Sequence, residues 1–149
     1  MTDSLHEISI QASRDTVYDA WSTADGLKGW WTADSRTAGE VGGVHVFGFM
    51  DGAVGFHFRI DALEPGKGVR WTGLPAPKMP EEWVGTRVEV ELADGEDGGT
   101  VLRFGHLGWK SGEGAYRMCN TTWGQLMYRL RDQCEGKGRG PLFTARQGA

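Results

Sequence analysis

The chain has 149 residues, 24% of them charged and 39% hydrophobic, and a formal net charge of −4. Those proportions belong to an ordinary globular protein and not to a disordered one, at a length suited to one domain of about 100–150 residues. The acidic balance without a basic stripe speaks against nucleic acid and anionic membrane surfaces as partners, and no window holds the ~20 apolar residues of a membrane-spanning helix. The opening MTDSLHEISIQ has no basic segment followed by an apolar one, so a cytoplasmic location is expected.

In chain order, Leu5–Gln11 alternates as a short strand with His6, Ile8 and Ile10 on one face. Ser13 is placed to cap a helix over Arg14–Trp21, and Ala24–Trp31 predicts a second short helix ending in paired tryptophans. The glycine-rich turn Gly39–Gly43 precedes a strand over Val44–Met50, with His45, Phe47 and Phe49 aligned. Asp51-Gly52 marks a hairpin into Val54–Leu63, where Phe56, Phe58 and Ile60 alternate with His57, Arg59 and Asp61.

Gly68–Thr72 is a short strand carrying Trp71, and the proline-rich Gly73–Glu82 is a loop, read either as a lid or as a surface insertion. Trp83–Leu92 alternates, with Thr86, Val88, Val90 and Leu92 together; Asp94–Gly99 turns, and Thr100–His106 aligns Leu102, Phe104 and His106. From about Gly112, Tyr116, Cys119, Asn120, Trp123, Met127, Leu130 and Cys134 recur at three- and four-residue steps, which is helical spacing. That helix fades at Gly136–Gly140, and the tail PLFTARQGA reads as loosely held. Cys119 and Cys134 share the helix about 22 Å apart, too far for a disulfide, so both are expected as reduced thiols.

Several chemistries lack their residues. No His-x-x-x-His, Cys-x-x-Cys or histidine–carboxylate spacing suggests a metal, and no Ser–His–Asp or Cys–His arrangement can be argued. The run Gly136–Gly140 follows a helix where a phosphate loop precedes one, and Asp94–Asp97 is too short for a calcium loop. No metal and no cofactor is therefore expected.

The order strand, two short helices, antiparallel strands, long helix carries a series of landmarks. They are Ala12-Ser13, Val17-Tyr18-Asp19-Ala20-Trp21, Leu27-Lys28-Gly29-Trp30-Trp31, Gly39-Glu40-Val41-Gly42-Gly43, Thr100 through His106, and Thr122-Trp123-Gly124 with Leu126 and Leu130. In these the chain resembles the heat-shock-protein-ninety ATPase activator homologue-like family of the START-like (SRPBCC, birch-pollen-allergen, helix-grip) superfamily. The resemblance covers nearly the whole chain and implies an α+β fold forming one domain over residues 1–149. In that fold a curved antiparallel sheet, two short helices and one long C-terminal helix enclose a cavity. The family's founding member sets this domain beside a second, chaperone-binding one. A chain of 149 residues has no room for both, so a chaperone partner is not expected.

Folding the predicted faces together turns His45, Phe47, Phe56, Phe58, Trp71, Val88, Phe104 and His106 toward Tyr116, Asn120, Trp123 and Met127, with Trp31 at the end of the second helix. These residues are expected to line a mainly apolar, ligand-sized cavity. His45 and His106 either contact a ligand or move a proton, or they are bonded internally as buried polar groups normally are. The function expected is binding of a small hydrophobic, aromatic or polyketide-like ligand, by a monomer or homodimer. The alternatives are a cyclase- or dehydratase-type enzyme using His45 or His106 in acid–base catalysis, and a chaperone ATPase-regulating module.

Overall fold

The computed structural model describes residues 1–144. Its elements are β1 (Thr2–Ile10), α1 (Arg14–Ser22), α2 (Ala24–Lys28), β2 (Asp34–Thr37), β3 (Val44–Phe49), β4 (Val54–Glu64), β5 (Gly68–Gly73), β6 (Arg87–Asp94), β7 (Thr100–Trp109) and α3 (Ala115–Cys134). The strands form one antiparallel sheet in the order β1-β7-β6-β5-β4-β3-β2, so β7 returns to pair with β1. Register shifts at Thr2/Ser4 and Ile60/Ala62 help bend the sheet around α3. This is the helix-grip architecture expected above.

Alternation decides what the concave face carries. Across the strands, Trp71 pairs with Val88, Val88 with His106, and His106 with Ser4. His45 stands opposite Phe58, and Phe47 opposite Phe56. The apolar stripe of α3, Trp123, Leu126, Met127 and Leu130, lies over this face at steps of three and four residues and is buried. At the other end Ser13 accepts a hydrogen bond from the Thr16 amide to start α1, and Thr23 does the same for Gly26 to start α2. The two helices bury Trp21 and Leu27.

Several boundaries differ from the sequence reading. Helix α2 stops at Lys28, and Trp30 and Trp31 follow it in a turn whose amides reach back to the Leu27 carbonyl (3.4 and 3.1 Å), with both indoles buried. Strand β2, unread in the sequence, is a four-residue edge strand whose polar DSRT carries no apolar alternation. Trp83 opens no strand: Glu81–Trp83 is a 3-10 turn, and β6 begins at Arg87.

The proline-rich loop is pinned down by the Leu74 amide on the His57 carbonyl (2.8 Å) and the Gly55 amide on the Lys78 carbonyl (3.1 Å). It ends by driving Trp83 into the core, closing on Gly73, where a Cβ would lie 2.3 Å from the Trp83 carbonyl oxygen. The tail is not loosely held as far as it is described. The Leu142 and Phe143 amides donate to the Trp30 and Trp31 carbonyls (3.1 and 2.9 Å), and the Ala33 amide donates back to Phe143 (3.0 Å). The rest of that expectation lies outside the described residues.

Candidate functional site

Most of the residues expected to line a cavity do converge, but they fill the space themselves. Trp31 lies 4.1 Å from Phe47 and 5.1 Å from Trp123 by ring centroids; Phe104 meets Trp123 at 4.4 Å, and Phe47 meets Trp71 at 5.7 Å. Val88 and Phe58 are fully enclosed and Met127 almost so. What remains between sheet and helix is a void of about 10 Å³, room for roughly one water, bounded by Trp31, Phe56, Trp83, Trp123, Leu126 and Phe143. A ligand-sized cavity was expected because the aromatic count was set against a single covering helix. Trp83 and Phe143 add two rings that the expectation left out.

Two expected lining residues stand elsewhere. Asn120 is half-buried and binds Ser4, whose hydroxyl donates to its amide oxygen, tying α3 to β1. Tyr116 donates its hydroxyl to the Asp3 carbonyl (2.9 Å) and sets its ring edge against Trp109. Both lie in the first turns of α3, which they tie to β1 and to the end of β7.

The two inner histidines differ in their bonding. His106 accepts at Nδ1 from the Trp123 indole N–H (3.0 Å), so in the neutral ring the proton sits on Nε2. That nitrogen donates to the Thr86 hydroxyl (2.7 Å), which donates onward to the Trp83 carbonyl (2.6 Å). Every polar atom of this chain from α3 to the 3-10 turn is used. Burial holds the imidazole neutral, with its pKa pushed down to about 3.

His45 has no such partners. Its ring is fully enclosed between Phe47 (5.6 Å) and the edge of Trp71 (4.6 Å), and among the described residues neither nitrogen has a hydrogen-bond partner. Burial lowers its pKa to about 4. The indole N–H groups of Trp21, Trp71 and Trp109 are likewise buried without acceptors.

Trp83 and Phe143 are the site residues that the sequence reading missed. Trp83 stacks on Phe56 at 4.1 Å and sets its edge to His106 at 4.6 Å. Pro80 followed by Glu81 and Glu82 was a signal that the loop turns back before Trp83. Phe143 packs edge-on against Phe49 at 5.4 Å, and no local pattern announces it.

The remaining chemistry is sparse. Cys119, beside the void, is a free thiol whose pKa burial raises to about 11, and Cys134 is free with its pKa raised to about 12. Among the described residues no group of His, Cys, Asp or Glu is arranged to hold a metal ion, and no helix is long and apolar enough to cross a membrane. A broader groove of about 860 Å³ between α3 and the β6–β7 turn, walled by Asp94, Glu96, Arg131, Asp132 and Glu135, is polar and open to solvent.

Comparison with known proteins gives this geometry its context. A solution structure of the Aha1 dimer from Colwellia psychrerythraea superposes with a TM-score of 0.80 at 36% identity, covering 92% of this chain and 98% of that one. A Mesorhizobium loti protein matches at 0.76 with 20% identity over 89% and 96% of the two chains. CalU16 from Micromonospora echinospora matches at 0.68 with 18% identity over 91% and 75%. The last two likenesses are of fold. Among curated proteins nothing matches the chain. The family model for activator of Hsp90 ATPase homolog 1-like proteins matches residues 11–135, and the chain belongs to that family.

Proposed function

We propose that this protein binds a small hydrophobic or aromatic ligand between the sheet and α3, entering where Phe143 now sits. One observation carries the reading. The void is walled mainly by apolar side chains contributed by five separate segments, and its half-buried rim includes Phe143, on a tail attached after the helix, beside Cys119 and Thr122. That tail is joined through Gly136–Gly140, with positive φ at Gly136 and Gly140, and is held to Trp30–Ala33 mainly by backbone bonds. Withdrawing Phe143 opens the void to solvent without breaking a strand pairing within the sheet. A ligand then replaces Phe143 and turns Trp31, aromatic surface for aromatic surface.

Binding fits the observations better than turnover. Both nitrogens of His106 are committed to Trp123 and Thr86, and His45 is walled by rings on both sides, so neither imidazole is free to move a proton near neutral pH. One domain over residues 1–149 suffices for this function.

The test uses the apolar fluorophore N-phenyl-1-naphthylamine. Binding that strengthens severalfold in Phe143→Ala and is abolished by Val88→Trp supports the reading, since Val88 is fully enclosed between Trp71 and His106. No binding to the full chain or to Phe143→Ala overturns it.

A second reading concerns assembly. The 36% identical relative is described as a dimer, and among the described residues no strand pairs with the outer edge of β1, on which Leu5 is exposed. Homodimerisation of this chain is proposed on that basis. Sedimentation equilibrium that yields only monomer up to high concentration overturns it.

A further inference from the structure

Ligand entry at Phe143 requires the tail to leave, and the structure shows what holds it. Resting on the binding reading, we infer that residues 136–144 are a strap whose closure over the void is set at a latch on α3, formed by Arg129, Asp132 and Arg139. Charge at that latch then regulates ligand affinity from outside the site.

The strap begins past residue 135, where the family match ends. Gly136 leaves α3 with φ +79°, the Lys137 amide closes back on the Asp132 carbonyl (2.8 Å), and the Gly136 amide reaches the Gln133 carbonyl (3.3 Å). This pairing ends a helix and turns the chain. Arg129 then donates from Nη1 to the carbonyls of Arg139 (3.3 Å) and Gly140 (3.0 Å). Arg139 pairs in turn with Asp132 (3.0 Å). The Gln133 side chain sits against both the strap and the end of α2, where neither Gly138 nor Gly29 has room for a Cβ. The strap is thereby fixed as far as Gly140.

Only Pro141 and Leu142 stand between that point and Phe143, and the proline ring locks its own φ. Holding Gly140 therefore sets the Leu142 and Phe143 amides against the Trp30 and Trp31 carbonyls, with Phe143 at the rim of the void. Arg129, Asp132 and Arg139 do not border the void. Their effect on a ligand runs through the position of the strap alone.

The latch is of a strength that can be released. The Asp132 and Arg139 side chains remain 24% and 59% exposed, and an ion pair so placed contributes little and is screened by salt. Because the closed strap and the ligand compete for one place, apparent affinity scales with the fraction of molecules that are open. Loosening the latch raises affinity by the factor that the latch had contributed to closure.

The test titrates N-phenyl-1-naphthylamine into the full chain, Arg139→Asp, and the exchanged pair Asp132→Arg with Arg139→Asp. Strap opening is read separately, without ligand, from hydrogen exchange at the Leu142 and Phe143 amides. Arg139 is exposed, so its substitution leaves the core alone. In Arg139→Asp the fluorophore should bind about two- to fivefold tighter, the factor one exposed ion pair supplies, and the two amides should exchange faster. The exchanged pair should return both readouts to the parent values. Added salt should strengthen binding more in the full chain than in Phe143→Ala, a comparison in which salting-out of the probe cancels. Amide exchange unchanged in Arg139→Asp overturns the latch. Faster exchange with binding still at the parent level, while Phe143→Ala binds more tightly, overturns the regulation and leaves the ligand site standing. A fluorophore bound by neither the full chain nor Phe143→Ala overturns the ligand site and the regulation with it.

Discussion

Acid should unfold this protein through two buried imidazoles, and the size of the effect follows from where they sit. An unfolded histidine titrates near 6.5, whereas burial holds His45 at about 4 and His106 at about 3. The folded pKa lies below the unfolded one, so on acidification the unfolded chain takes up the proton first. Stability is therefore level above about pH 7, falls as pH drops through 6.5, and keeps falling until the folded imidazoles protonate. At pH 5 each histidine costs about 2 kcal/mol relative to pH 8, about 4 together, a large share of a typical 5–15 kcal/mol. His6, half-buried and also lowered by desolvation, acts in the same direction. Urea titrations followed by tryptophan fluorescence at pH 8, 7, 6 and 5 read this directly. His45→Phe should remove about 2 kcal/mol of the loss at pH 5 while leaving stability at pH 8 unchanged or higher, because it deletes two unpartnered nitrogens. Stability that stays flat from pH 7 to 5, or a full slope retained in His45→Phe, would refute the assignment of buried neutral imidazoles.

Further outcomes follow from the same packing. Trp123→Phe keeps a ring in place but removes the donor to His106, and should cost about 1–3 kcal/mol in a denaturation experiment. Trp123→Ala should cost about 3–5 kcal/mol or more, since it also opens the core; a Trp123→Phe variant as stable as the parent would mean that the indole N–H contributes nothing. Ending the chain before Gly112 removes the cover of the concave face, and the product should show no cooperative melting; an unchanged transition temperature would contradict the role given to α3. A chaperone ATPase assay with micromolar protein should show no stimulation, and a dose-dependent rise lost on mutating Arg59 or Arg87 would favour the interaction reading instead.

How much of this was legible in the sequence depended on the range of the physics involved. Strand alternation over Val54–Leu63 and Thr100–His106, the Ser13 cap and the three- and four-residue spacing in α3 are local signals. The order of elements, the antiparallel sheet and the covering helix followed from them. Local signals also put His45 and His106 on the inner face, because a pleated strand has only two faces to offer. Even the errors at Trp31 and Trp83 were local: in each case a tryptophan beside an element was read as part of it.

The tertiary structure decided what those inward residues meet. His45 and His106 sit at equivalent places in the pattern, yet one is bonded on both sides and the other on neither. Thr86 and Trp123, which satisfy His106, lie 20 and 17 residues away along the chain, and no periodicity encodes that meeting. Phe143 closes the void from beyond a glycine-rich segment, so its role depends on where the tail returns. Whether the concave face holds a cavity or a packed core depended in the same way on volume contributed by Trp83 and Phe143. Periodicity names the residues that turn inward, but the space left among them is set by every segment that reaches the same place, and that sum exists only in three dimensions.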